Sequence, residues 1–260
     1  MIPKIIHYCW FGRNPLPELA RKCIKSWKKY CPDYEIIEWN EDNYDLSAAP
    51  LYVRQAYEAK KWAFVTDYVR LQVVYEHGGI YLDTDVELVK QLDPLLRHQA
   101  YFGFEDGMHI ATGLGFGAVK GNALVLEIMK DYEETPFGIP GETMVACPKM
   151  NTKIFLRHGL VQENKKQILD EDILILPTEY LCPKSMIDGI IRKTQDTYSI
   201  HHYDSSWITE EQQLERRKSW KRLQQMNRWH AVLKTPNRIA IKIFGETTYN
   251  KVKAAIKKSI

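Results

Sequence analysis

The chain has 260 residues, 36 Lys plus Arg against 33 Asp plus Glu, and 45% hydrophobic with 27% charged residues. That composition is ordinary for a folded globular protein and excludes a disordered or fibrous chain, and no run approaches the roughly 18 apolar residues of a membrane span. The net charge of +3 conceals an asymmetry, because the residues from Arg216 onward carry 13 bases and one acid behind an acidic body. Five cysteines (Cys9, Cys23, Cys31, Cys147 and Cys182) include no CxxC pair. This argues against a disulfide framework or a zinc ribbon and for reduced thiols in a cytoplasm. The opening MIPKIIHYCWFGRNP lacks a basic segment, a long apolar stretch and a small-residue cleavage site, so no signal peptide is expected.

In chain order, Ile2 to Phe11 is apolar and β-branched and stops at Gly12, which predicts a buried strand. Pro17 to Tyr30 has helical spacing and Tyr34 to Trp39 is a second strand, giving a βαβ opening and parallel pairing. Leu51 to His77 reads as one long helix that ends at Gly78 and Gly79. Ile80 to Leu82 is then a short strand running into Asp83-Thr84-Asp85. Further strands are predicted at Ala100–Phe104, Leu114–Val119, Ile173–Leu176 and Tyr198–His202, with a helix over Ala123–Glu133. Thr209–Leu233 and Asn237–Lys258 read as two terminal helices split at Pro236.

The chemistry concentrates in a few places. Two Asp-x-Asp pairs occur, Asp83/Asp85 and Asp170/Asp172. In open α/β sheets ligands bind beyond the carboxyl ends of strands. Asp83 and Asp85 follow a strand, whereas Asp170 and Asp172 precede one and read as a solvated turn. Two carboxylates flanking one residue can share a hard divalent cation, Mg²⁺ or Mn²⁺, which would neutralise a leaving diphosphate; a plain pair of surface acids is the alternative. Asp67 and Arg70 share a helix face and read either as a surface ion pair or as a fork for a sugar. His201-His202-Tyr203-Asp204-Ser205-Ser206-Trp207 offers an imidazole, hydroxyls and an indole. Trp10 closes the first strand with a face fit for stacking or for the core.

The segments IPKIIHYCWFG (2–12), AFVTDYVRL (63–71), GGIYLDTDVE (79–87) and HHYDSSW (201–207) together resemble glycosyltransferase family 32, and more distantly the glucosyltransferase domains of clostridial toxins. The resemblance covers roughly residues 2–207. It implies an α/β, GT-A type nucleotide-sugar-binding fold, a Rossmann-like mixed sheet flanked by helices. The implied reaction is a metal-dependent, retaining transfer of a sugar from a UDP- or GDP-sugar to a saccharide acceptor, of the kind that builds capsule or exopolysaccharide. In that pattern Trp10 stacks on the donor base, and Asp67 and Arg70 hold the donor sugar. Asp83 reaches the ribose and metal region, and Asp85 ligates Mn²⁺ or Mg²⁺. His202 stands where the toxin-like pattern has a metal-binding acid, with His201 as a rival, and Ser206 and Trp207 contact the diphosphate.

The expected division is a transferase domain over 1–207 and a basic helical extension over 208–260. Trp220, Met226, Trp229, Ile243 and Phe244 are interspersed among the bases of that extension. Basic amphipathic helices with Trp read as membrane-surface elements, so the expected setting is cytoplasmic and peripheral, at the inner face of the cell membrane. The acceptor is then a lipid-linked oligosaccharide, and no nucleic acid is expected as partner. The competing readings are a metal-dependent phosphohydrolase or nucleotidyltransferase using the same Asp pair, and a membrane-associated scaffold without turnover.

Overall fold

The computed structural model describes residues 1–138, 147–204, 209–234 and 237–257. They divide into two units, Met1–Ser185 with Ile191–Trp207, and Met186–Ile190 with Ile208–Ile260. The first unit opens as β1 (Ile5–Cys9), α1 (Glu18–Tyr30) and β2 (Glu35–Trp39), with both strands parallel. Apolar positions at helical spacing make Ala20, Cys23 and Trp27 the buried face of α1.

The stretch predicted as one helix is two, α2 (Leu51–Glu58) and α3 (Trp62–His77). The break is a left-handed turn at Lys60, φ +56°, with Lys60 N–H bonded to Tyr57 O and Lys61 N–H to Ala56 O. That closure ends a helix without a glycine. It lets Val53 and Ala56 of α2 join Val65 and Val69 of α3 in a single core.

After α3 the chain reverses at Gly78 and Gly79, both at positive φ, and enters β3 (Gly79–Tyr81). A Cβ on Gly79 would lie 2.8 Å from Ile5 O, so only glycine permits β3 to lie this close to β1. The remaining elements are β4 (Val86–Leu88), β5 (Ala100–Gly103), β6 (Phe116–Ala118), α4 (Ala123–Glu133), α5 (Cys147–Arg157), β7 (Gln167–Leu169), β8 (Ile173–Leu176), α6 (Thr178–Leu181) and β9 (Ser199–His201).

Seven strands form one mixed sheet in the order β2-β1-β3-β6-β5-β8-β7. Strands β1, β2, β3, β5 and β8 run one way, while β6 and β7 are antiparallel to their neighbours. This is the α/β mixed sheet with packed helices that the sequence resemblance implies. One face is filled by α3, α4 and α5, where the Phe102 ring stacks on Phe116 at 5.2 Å and meets Phe155 edge-on at 4.8 Å. A second, two-stranded ribbon pairs β4 with β9 antiparallel, setting Val86 opposite His201. The buried Trp27 of α1 donates its indole N–H to Val86 O at 2.7 Å and so holds that ribbon.

The second unit joins Met186–Ile190 to α7 (Glu210–Lys234), α8 (Asn237–Phe244) and α9 (Glu246–Lys257). The last predicted helix is divided at Gly245, which sits at φ +77° and caps α8 by bonding Ile241 O. Trp220 of α7 lies over Gly189 and donates to Met186 O at 2.8 Å.

Candidate active site

The carboxyl ends of β1, β3 and β5 share one edge of the sheet, so residues just past them converge. Asp83 and Asp85 leave β3 there. Asp67 and Arg70 come from the buried face of α3, at 8% and 4% exposure. Arg70 Nη2 stands 3.1 Å from Asp67 Oδ1 and 3.4 Å from Asp83 Oδ1. Its guanidinium lies over the Tyr81 ring, and its Nε–H is tied to Thr66 O at 2.9 Å. Tyr81 O–H donates to Asp83 Oδ1 at 2.8 Å. Gly113, in the turn before β6, backs this group, and a Cβ there would collide with Asp83 Oδ2 and Arg70 Nη1.

Asp85 is held from the other side. The antiparallel ribbon carries His201 to it, with Nε2 3.2 Å from Asp85 Oδ1. Asp204 N–H donates to Asp85 Oδ2 at 2.8 Å, and His202 N–H to Asp85 O at 3.0 Å. Tyr203 between them adopts φ +57°, a left-handed conformation that is costly for an aromatic residue.

These surroundings drive the two acids apart. Burial raises the Asp83 carboxyl even against Arg70. Burial works on Asp85 too, but His201 and the Asp204 N–H outweigh it and hold it down at about 2. Burial also lifts Asp67 to about 6, despite Arg70. The His201 imidazole resists burial because Asp85 faces it, and is raised well above its ordinary value. The Asp85 carboxylate thus favours the protonated form of the imidazole.

Donor atoms of Asp83, Asp85 and His201 all lie within 4.8 Å of one another, and Nδ1 of His201 is buried without a hydrogen-bond partner. Two carboxylates and an imidazole fit a borderline-hard divalent ion, Mn²⁺ better than the oxygen-seeking Mg²⁺. Its binding would displace the imidazole proton.

Several expectations are redrawn by this geometry. His202 does not face the Asp pair. With His201 Nε2 turned to Asp85 at 3.2 Å, His202 Nε2 meets Glu87 at 2.8 Å instead. Glu87 also holds Lys22, at 3.0 Å. The short β4 that fixes this register has three residues and escaped the sequence reading. Trp10 lies half-buried at the end of β1, its indole N–H bonded to Asn14 O. Ser206 and Trp207 lie outside the described residues. Asp170 and Asp172 form an exposed turn at the opposite edge, where Asp172 pairs with His98 at 2.7 Å.

One residue of this edge went unnoticed in the sequence. Glu105 follows β5 as Asp83 follows β3, so the strand-end rule that singled out Asp83 also points to it. Burial raises its carboxyl, and His201 acts in the opposite direction.

Residues 17–102 match the model of the glycosyltransferase sugar-binding region containing the DXD motif. The matched span contains Asp67, Arg70, Asp83 and Asp85. The chain is 31% identical over 140 residues to inositol phosphoceramide mannosyltransferase 3 of Schizosaccharomyces pombe, covering 52% of this chain and 38% of that protein. It therefore spans well under half the length of that relative. It is 24% identical over 218 residues to an uncharacterized glycosyltransferase of Acanthamoeba polyphaga mimivirus, covering 80% and 84% of the two chains. Among solved structures, PaToxG glycosyltransferase is similar at 20% identity with a TM-score of 0.48, over 60% of this chain and 68% of that one. Residues 17–102, with the acid pair at the end of β3 and the Asp–Arg pair on α3, are thus similar to the DXD-containing glycosyltransferase sugar-binding region.

Proposed function

We propose that the protein transfers a glycosyl group from a nucleoside diphosphate sugar to a hydroxyl of a lipid-linked saccharide or polyol, with retention at the anomeric carbon. The observation that carries this reading is the half-buried group of Asp83, Asp85 and His201 with the buried Arg70 beside it. Glycosyl transfer builds negative charge on the departing diphosphate, and only groups that answer that charge in the transition state speed the reaction. A divalent cation held by Asp83, Asp85 and His201 supplies that charge. Asp67 and Arg70 are fixed by burial and by Thr66, so they present a rigid carboxylate and fork to sugar hydroxyls. Trp10 lies at the same edge and serves the base; the sequence resemblance alone assigns Ser206 and Trp207 to the diphosphate. The reading keeps 1–207 as the transferase domain.

A lipid-linked acceptor accords with the inositol phosphoceramide named for the fission-yeast relative. It accords too with the second unit, where Ile187, Met226, Ile243 and Phe244 are exposed among the bases. Each base near an anionic lipid surface is worth about 1 kcal/mol. No helix among the described residues is long and apolar enough to cross a membrane. Five buried free thiols suit a reducing compartment, and the inner face of the cell membrane is the proposed place of work.

The test is calorimetric titration of UDP- and GDP-sugars with Mn²⁺ or with chelator, on wild type and on Asp85→Asn. Binding that needs Mn²⁺ and falls about a hundredfold or more in the variant is expected. Metal-independent binding, or an Asp85→Asn variant that binds like wild type, overturns the assignment. Hydrolysis of a nucleoside triphosphate without any sugar would favour the phosphohydrolase reading instead.

A further inference from the structure

Glu105 stands apart from the other acids of the carboxyl edge. Phe102 and Phe104 of β5 and its continuation are fully buried in the α3–α5 core. Alternation along the strand therefore turns Gly103 and Glu105 to the opposite face. Gly103 confirms the direction, since a Cβ there would lie 2.8 Å from Leu181 of α6. That is the side on which β9 runs, its Ser199 hydroxyl bonded to Leu181 O at 3.1 Å. Glu105 thus faces the layer that carries His201 and Tyr203, and its charge is felt by Tyr203 as that of Asp83 and His201 is felt by it.

The backbone under Glu105 is rigid. Phe104 N–H bonds Leu176 O at 2.9 Å and Glu105 N–H bonds His109 O at 2.8 Å. The neighbouring Asp106 shapes the turn, accepting bonds from Met108 N–H and His109 N–H. Glu105 has no such duty. Its half-buried carboxylate has no hydrogen bond or ion pair among the described residues, although a carboxylate drawn from water is costly unless something bonds it.

We propose that Glu105 is the acceptor-orienting carboxylate of this site. The inference rests on the glycosyl-transfer reading above. An anionic diphosphate would be repelled by Glu105, and Glu105 is not among the donors gathered at the Asp pair. A hydroxyl of a polyol or sugar satisfies a lone carboxylate by donating its proton in a hydrogen bond, and that bond aims the oxygen lone pair at the anomeric carbon. The acceptor oxygen then bonds to the anomeric carbon as the bond from that carbon to the diphosphate oxygen breaks. The hydroxyl proton, held in the bond to Glu105, passes to that carboxylate as the new bond forms and from it to the released diphosphate, so Glu105 ends unchanged.

The experiment compares wild type, Glu105→Gln and Glu105→Asp. It follows Mn²⁺-dependent release of nucleoside diphosphate from UDP- and GDP-sugars, with water, methyl α-mannoside or myo-inositol as acceptor. Affinity for the nucleoside diphosphate with Mn²⁺ is measured in parallel. In Glu105→Gln, turnover is expected to fall about a hundredfold with affinity within about twofold of wild type. Glu105→Asp keeps the charge with a shorter reach, is expected to fall between the two, and secures the comparison if the first variant misfolds. Unchanged turnover, or a loss of affinity that accounts for the loss of turnover, overturns the assignment. So does a wild type that binds donor but turns over with none of the three acceptors. A wild type without Mn²⁺-dependent donor binding overturns the glycosyl-transfer reading itself, which is a different failure.

Discussion

The chain contains the same short motif twice, at opposite edges of one sheet, and beyond a histidine beside the second aspartate the two copies differ. Asp83 and Asp85 leave a parallel strand at the carboxyl edge, where a buried arginine, a tyrosine and a histidine enclose them. Asp170 and Asp172 precede β8 at the amino edge, in an exposed turn with left-handed residues at Glu171 and Asp172. The Asp172 carboxylate meets His98 at 2.7 Å. Identical spacing therefore carries little chemical information. What gives two carboxylates a function is the density of fixed charge that the fold brings around them, and that density follows from strand direction.

The comparison breaks most violently if the enclosing charge is removed. Arg70 is the only cationic group within reach of both Asp67 and Asp83 among the ion pairs of the described residues. Arg70→Met preserves much of the volume and leaves the buried Asp67 and the half-buried Asp83 without their shared cation. The expected loss is about 3–5 kcal/mol at pH 7, read by urea unfolding. The pH dependence has a definite sign. Burial already raises Asp67 to about 6 in the folded protein, above the ordinary 3.8. Its contribution is thus greatest below about pH 4 and is lost as pH rises through 6, and losing Arg70 raises the carboxyl further. The variant should therefore be less destabilised at pH 5 than at pH 7. A loss under about 1 kcal/mol at pH 7 would mean that the enclosure is not what sustains the acids.

Much of this was legible before any coordinate. The strands carrying Trp10, Asp83 and Ile173 follow from short apolar runs bounded by glycine, proline or acids, and the pairing of Asp67 with Arg70 follows from helical spacing. Two kinds of feature were not. Local backbone closures such as Lys60 have no compositional mark when a lysine adopts the left-handed turn that glycine usually takes. Long-range register is equally silent in sequence. The choice between His201 and His202 depends on the pairing of β9 with a three-residue strand distant in the chain. Glu105 was legible in principle, because the rule applied to β3 applies equally to β5.

The register supplies a sharper test of the carboxyl edge. His201 faces Asp85 and His202 faces Glu87, so two adjacent histidines should behave differently. His201→Ala is expected to weaken Mn²⁺ binding about tenfold or more, since it removes an imidazole donor beside the Asp pair. His202→Ala removes a partner of Glu87 and should leave Mn²⁺ affinity within about twofold, by the same titration. Equal losses would mean that the strand register does not select the donor, and the reverse order would restore His202 to the metal site.

The smallest effect is expected at the other copy of the motif, and it is the control on which the comparison depends. Asp172 is 47% exposed at its side chain and its pair with His98 spans 2.7 Å. The carboxylate that makes this contact is open to water, and losing the contact is worth about 0.5 kcal/mol. Asp172→Asn should therefore shift the melting temperature by no more than about 2 °C and leave Mn²⁺ and nucleotide-sugar binding unchanged. Asp170→Asn should alter neither. The pair lies beyond the amino end of β8, where among the described residues no ion pair with an arginine reaches it, so neutralising it disturbs only the contact to His98. If Asp172→Asn nevertheless lowered Mn²⁺ affinity as Asp85→Asn is expected to, the edge of the sheet would not be what distinguishes the two pairs, and the carboxyl-edge cluster would lose its claim to be the metal-binding one.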